Sequence, residues 1–178
     1  PKTHPYISTG LKKNKFGINT KAAIESYRMA GSLEHVDVVG IDCHIGSQIT
    51  ETKPFEAALK SLKNLIIELK QMGTDIKYLD MGGGLGITYA DEKPPPLSEY
   101  AATMTQQLKG MDLKLILEPG RVLVGNAGIL VTKVLYRKTG EVKNFVIVDA
   151  GMNDLLRPTH TRSPVFTSKM DVESMVVL

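Results

Sequence analysis

The sequence predicts an α/β protein: parallel β/α units followed by an antiparallel β segment. Three observations lead there. Apolar residues at helical spacing alternate with short runs rich in valine and isoleucine, and each such run ends in glycine or polar turn residues. After Arg121 the alternation gives way to two longer β-rich runs joined by a turn.

Along the chain, a first helix is predicted from about Thr20 to Ala30. "HVDVVGIDCHIG" is too short and too β-branched for a helix, so it reads as a strand from about Val36. Between Pro54 and Met72, residues Phe55, Leu59, Leu62, Leu65, Ile66, Leu69 and Met72 recur at three- and four-residue steps, with Thr52 as N-cap and Gly73 as stop. "DIKYLDMGGG" is the next strand, from about Ile76. Pro94 to Pro96 break the chain. Leu97, Tyr100, Met104 and Leu108 then mark one face of a helix that stops at Gly110, and "LKLILEPG" follows as a buried strand. "AGILVTKVLYRKTGEVKNFVIVDAG" carries a hairpin signal around Lys138-Thr139-Gly140-Glu141, so a second, antiparallel domain is predicted over 125–178 after a β/α domain over 1–124. A complete eight-fold barrel needs about 250 residues. An open sheet or a fragment of a barrel therefore remains.

Composition narrows the function classes. The 178 residues are 42% hydrophobic and 23% charged, ordinary for a globular chain. The net charge of +3 comes from 22 basic and 19 acidic residues scattered along the chain, without the basic aromatic stripe of a nucleic-acid binder. A single cysteine, Cys43, excludes an internal disulfide and a cysteine-based zinc cluster, and no metal is predicted. The sequence has no run of 18 apolar residues and no signal-peptide pattern, so no membrane partner and a cytoplasmic location are expected. The chain opens at Pro1 without methionine and closes on a segment of no clear periodicity. Both ends are expected to be cuts through a larger gene product.

In parallel β/α folds, functional groups collect beyond the carboxyl ends of the strands. Three strand ends here are polar: "DCHIGSQ", "DMGGGLG" and "EPGR". Gly82, Gly83 and Gly84 either expose successive N–H groups to a phosphate or permit close packing at a tight turn. The spacing fits neither a dinucleotide fingerprint nor a P-loop. His44 shares a strand face with Asp42, and Gly46 and Ser47 follow it, so a flat ring stands beside a hydroxyl donor. Glu118 ends the apolar run Leu115-Ile116-Leu117, where desolvation would demand a cationic partner. Arg121 offers a cationic fork for phosphate or carboxylate, or pairs internally with Glu118.

With these residues in place, "HPYISTGLKKNKFGI", "GIDCHIGSQI", "LDMGGGLGI", "EPGR" and "VDAGMNDLLRP" together resemble the diaminopimelate decarboxylase family. That family lies in the alanine-racemase-like barrel class of pyridoxal phosphate enzymes, and the resemblance runs from about Pro1 to Pro158. It implies a partial (β/α)8 TIM-type barrel, its C-terminal units, and then the start of an antiparallel β domain. It also implies the cofactor pyridoxal 5'-phosphate, a small amino-acid substrate and a homodimer. By this similarity His44 stacks on the pyridoxal ring, Ser47 and Gly82, Gly83 and Gly84 hold the phosphate, and Glu118 bonds the pyridine nitrogen. Pro119, Gly120 and Arg121 complete the cofactor wall. Arg121 serves the phosphate or a substrate carboxylate, Arg157 grips a substrate carboxylate, and Asp149 lies near that site. The implied reaction is decarboxylation of meso-2,6-diaminopimelate at its D-centre to L-lysine. The family's Schiff-base lysine matches no lysine here, the later-domain cysteine and tyrosine are absent, and Thr161 stands where the family has tyrosine. The chain alone is therefore expected to be inactive. The alternatives are a non-catalytic relative that binds a ligand or pairs with a subunit, and a decarboxylase of another basic amino acid.

Overall fold

A computed structural model describes residues 17–151 apart from residue 90, together with 153, 154, 166, 167 and 175–177. The chain divides into two compact units, one up to Leu123 and one from Val124 onward.

In the first unit the order is α1 (Thr20–Gly31), β1 (Gly40–Asp42), α2 (Lys53–Gln71), β2 (Tyr78–Asp80), α3 (Leu97–Leu108) and β3 (Lys114–Ile116). The three strands form one parallel sheet in chain order, β1-β2-β3. α2 packs on α3 and α1 on α2.

Each helix forms for a local reason. The Asn19 side chain accepts the Ala22 N–H at 3.0 Å and caps α1. In α2, Phe55, Leu59, Leu65, Ile66 and Leu69 are buried on one face, and Gly73 leaves the helix at φ +86°. Thr52 occupies the N-cap position as predicted, but its backbone is already helical and its hydroxyl makes no capping bond. The Lys63 ammonium donates to the Gln107 carbonyl at 2.6 Å and ties α2 to α3. Between the helices and the sheet lie Phe55, Leu59, Leu69, Leu79, Met81 and Met104, all fully buried. The Phe55 and Tyr100 rings meet edge to face at 5.0 Å.

The strands depart from expectation in two ways. Their paired segments are only three residues long and start at Gly40 and Tyr78 rather than near Val36 and Ile76. The segment before Gly40 is held partly by its carbonyls, Val39 accepting from both Lys77 and Tyr78, rather than by a longer ladder. β3, predicted as buried, has Ile116 41% and Leu117 39% exposed. Among the described residues β2 is its sole neighbour in the sheet.

In the second unit, β5 (Val134–Lys138) and β6 (Phe145–Val148) pair antiparallel, with a register shift between Val134 and Tyr136. β4 (Leu130–Val131), β7 (Phe166–Thr167) and β8 (Met175–Val177) form an antiparallel sheet in the order β4-β8-β7.

Candidate functional site

The sheet register puts three sequence-predicted positions on one rung. Asp42 pairs with Asp80 and Asp80 with Ile116. Two residues further along each strand come His44, Gly82 and Glu118, which return to the same face. The ladder reaches this far: Cys43 N–H donates to the Asp80 carbonyl at 3.0 Å, Met81 N–H to Ile116 at 3.1 Å, and Glu118 N–H to the Gly82 carbonyl at 2.8 Å.

The central strand end must be glycine because its neighbours crowd it. A Cβ on Gly83 would lie 2.2 Å from the Glu118 carbonyl oxygen. One on Gly84, which also has φ +100°, would lie 2.2 Å from the Gly46 carbonyl oxygen. Both readings of the loop meet here, and the close-packing one accounts for these two glycines directly.

The N–H groups of the loop are divided between roles. Gly82 N–H donates to Asp80 Oδ1 at 2.8 Å, and Gly83 N–H points to His44 Nδ1 at 3.4 Å. With Nδ1 as acceptor, a neutral His44 ring carries its proton on Nε2. Gly84 N–H, Gly120 N–H and the Ser47 hydroxyl are among the donors at these strand ends that find no acceptor within the described residues. They are near one another in the chain path. Gly84 abuts Gly46, which precedes Ser47, and Gly83 abuts the Glu118-Pro119-Gly120 turn.

Glu118 is exposed, as are Pro119 and Gly120. Among the described residues the desolvation expected at the end of Leu115-Ile116-Leu117 is not seen, and Ile116 and Leu117 beside Glu118 are exposed as well. Instead, carboxylate oxygens of Asp42, Asp80 and Glu118 lie within 4.8 Å of one another. Three carboxylates this close favour a cationic ligand group at their centre. Cys43, half-buried beside them, has its thiol pKa pushed up by burial and then by the Asp42 charge.

Arg121 is half-buried, and its Nη1 donates to Gln48 Oε1 at 3.2 Å and to the Tyr89 hydroxyl at 3.1 Å. Asp149 belongs to the second unit. There it accepts from the Thr132 hydroxyl at 2.6 Å and from Lys133 N–H at 2.9 Å, the first of these being the chief cause of its lowered pKa. Arg157 lies outside the described residues, as does Thr161. A cleft of about 640 Å³ opens at the opposite, amino ends of β2 and β3, lined among others by Lys70, Lys77 and Lys114. It shares no residue with the strand-end groups.

The pyridoxal binding domain of the pyridoxal-dependent decarboxylases matches residues 1–125. The chain belongs to this family. Diaminopimelate decarboxylase from Vibrio cholerae is 57% identical over 158 residues, which are 88% of this chain and 38% of that protein. The Haemophilus influenzae enzyme of the same name is 54% identical over 157 residues, with the same two shares, 88% and 38%. A crystal structure of diaminopimelate decarboxylase from Helicobacter pylori complexed with L-lysine matches with a TM-score of 0.84 at 41% identity, over 96% of this chain and 43% of that one. The chain thus spans about two fifths of the length of the curated relatives it matches.

Sequence reasoning gave no role to Asp80, Gln48 and Tyr89. Asp80 carried a usable signal, since it ends a strand as Glu118 ends a run. Gln48 did not: its φ of +59° is a backbone state that nothing in "GSQI" announces.

Proposed function

We propose that the chain forms part of a pyridoxal 5'-phosphate-dependent decarboxylase that converts meso-2,6-diaminopimelate to L-lysine. The observation that carries this reading is the 57% identity to a diaminopimelate decarboxylase over nearly nine tenths of the chain. The L-lysine held in the Helicobacter pylori structure, at 41% identity, is consistent with lysine as product.

The residues present fit the cofactor. Gly84 N–H, Gly120 N–H, the Ser47 hydroxyl and the Arg121 guanidinium supply donors and a positive charge for a phosphate. Gly82 and Gly83, expected from sequence to hold the phosphate as well, lie against His44 and the Glu118 turn. His44 presents a flat ring for stacking. Glu118, supported by Asp80 and Asp42, holds a proton on a pyridine nitrogen by hydrogen bonding to the protonated form. When bound, the cofactor supplies an electron sink for the pair left by departing carbon dioxide. Arg121 is also suited to a substrate carboxylate, and Arg157 and Asp149 are assigned to the substrate by family resemblance alone.

On the same reading, the β/α units are a segment of a TIM-type barrel over 1–124, followed by the start of an antiparallel β domain over 125–178. The working enzyme is a homodimer in the cytoplasm. The covalent lysine and the later-domain cysteine are supplied from outside the 178 residues.

The test is ligand binding and turnover on the purified chain. It should bind pyridoxal 5'-phosphate reversibly, without covalent attachment, and release no carbon dioxide from meso-2,6-diaminopimelate. Turnover by the chain alone would refute the division of labour, and failure to bind the cofactor would refute the site. A longer protein containing the chain should release carbon dioxide from meso-2,6-diaminopimelate in preference to lysine, ornithine or arginine. Another preferred substrate would refute the assignment.

A further inference from the structure

We propose that Gln48 is a positioning residue that holds the turn carrying Ser47 against Gly84, so that the two form one phosphate-binding edge of the cofactor site. This rests on the cofactor reading above. The ladder between the first two strands breaks after Cys43 N–H bonds the Asp80 carbonyl. It resumes where Ile49 N–H donates to the Gly84 carbonyl and Gly86 N–H to the Ile49 carbonyl, both at 2.9 Å. The first strand takes six steps from Cys43 to Ile49 while its neighbour takes four from Asp80 to Gly84, and the surplus stands out of the ladder as a turn. That turn is pinned to Gly84 at both ends. The Gly46 carbonyl oxygen lies 2.2 Å from where a Gly84 Cβ would be, and the Ile49 N–H bond closes the other side. Ser47 and Gln48 are the two residues between the pins.

Gln48 is what returns the chain from the turn to the ladder. It is the sole non-glycine residue at positive φ among the described residues, φ +59°, a backbone state that disfavours side chains and persists only where surrounding contacts hold it. Its side chain supplies those contacts. It crosses Gly86, where a Cβ would stand 3.2 Å from Gln48 Cδ, and reaches the backbone of Ile87. There Nε2 donates to the Ile87 carbonyl, and Ile87 N–H donates back to Oε1 at 3.3 Å. Oε1 also accepts from Arg121 Nη1 at 3.2 Å. Tied at both ends, the amide straps the turn over the segment that follows the glycine loop, and the backbone of Gln48 fixes that of Ser47 immediately before it. Removing the strap frees the turn between its pins without touching either donor.

The experiment titrates the purified chain with pyridoxal 5'-phosphate and, separately, with pyridoxal, following ligand absorbance. Wild type should prefer the phosphorylated ligand. Q48G keeps the backbone at ease but removes the amide. It should bind pyridoxal like wild type and lose about tenfold of the preference for the phosphorylated form. In an S47A background, where the hydroxyl is already gone, the same change should cost clearly less. Thermal melts accompany each variant. Should Q48G unfold below the assay temperature, Q48N replaces it: asparagine tolerates the left-handed backbone yet falls one methylene short of Ile87. A preference that survives the substitution overturns the proposal. So does an equal loss for both ligands, or unfolding of both variants, which a purely structural role would give. A loss that is undiminished in the S47A background runs through another group, such as Arg121, and overturns it as well. A wild-type chain that shows no preference for the phosphorylated ligand overturns the cofactor reading itself, and this assignment with it.

Discussion

Replacing Gly83 with alanine tests whether the glycine loop exists to let two strand ends touch. The new methyl carbon would stand 2.2 Å from the Glu118 carbonyl oxygen and 3.2 Å from its carbonyl carbon. Both are backbone atoms, so no flexible side chain can swing aside, and relief requires about 1 Å of strand separation. The bond that must stretch is Glu118 N–H to the Gly82 carbonyl, now 2.8 Å. Losing it costs about 0.5–1.5 kcal/mol, and the overpacking that remains costs about 1–3 kcal/mol. Together these come to about 1.5–4.5 kcal/mol. Among the described residues all helices lie in the first unit, so urea unfolding followed by circular dichroism at the helix band reports on that unit. Gly31→Ala is the control: it ends a helix with nothing within 4 Å of the added methyl, and its stability should be unchanged or slightly raised. A G83A chain that loses less than about 0.5 kcal/mol, the range of a neutral surface change, would refute the close-contact account.

Three further outcomes follow from the structure. Phe55→Ala removes a fully buried ring and its edge contact with Tyr100, and should cost about 3–5 kcal/mol in the same unfolding assay. Asp149 has a lowered carboxyl pKa in the folded chain, chiefly through the Thr132 hydroxyl. Its stabilising contribution is therefore present above the unfolded pKa and lost as pH falls through the folded one. Thr132→Val should flatten the acid dependence of unfolding, measured below about pH 4, while wild type steepens there. Cys43 should react slowly with iodoacetamide at pH 8, because burial and then the Asp42 charge raise its thiol pKa. Asp42→Asn should speed that reaction, and an unchanged rate would remove Asp42 from the account.

The helices were legible because their signal is repeated. Seven apolar residues at helical steps predict α2 almost to its ends, and the observed Lys53–Gln71 differs by one residue at each. The parallel pattern was legible from the alternation of elements. The lengths of the strands were not, because a β-branched residue such as Val36 or Val38 favours extended backbone whether or not a neighbouring strand is there to pair with it. The exposure of Glu118 was misread for a related reason. An apolar run predicts a buried strand only when both faces are covered, and coverage is a tertiary fact. At the site, His44, Glu118 and the glycines stand out by residue type. The use of the glycine N–H groups does not, since it depends on which neighbour arrives at which height. Gln48 was illegible because its role comes from a backbone dihedral and from partners 39 and 73 residues away.

The shared rung of His44, Gly82 and Glu118 makes counting as important as chemistry. In a strand, adding or removing one residue turns every later side chain to the opposite face and moves it by about 3.3 Å. A single deletion between Ile41 and His44 would leave every motif residue present in the chain and yet carry the imidazole away from the loop that receives it. Each of the three motifs is thus bound to its strand by an interval as well as by its letters. Related chains that keep the residues but change that interval by one should have lost the site, whereas length changes in the outer connections after Thr88 leave the rung untouched.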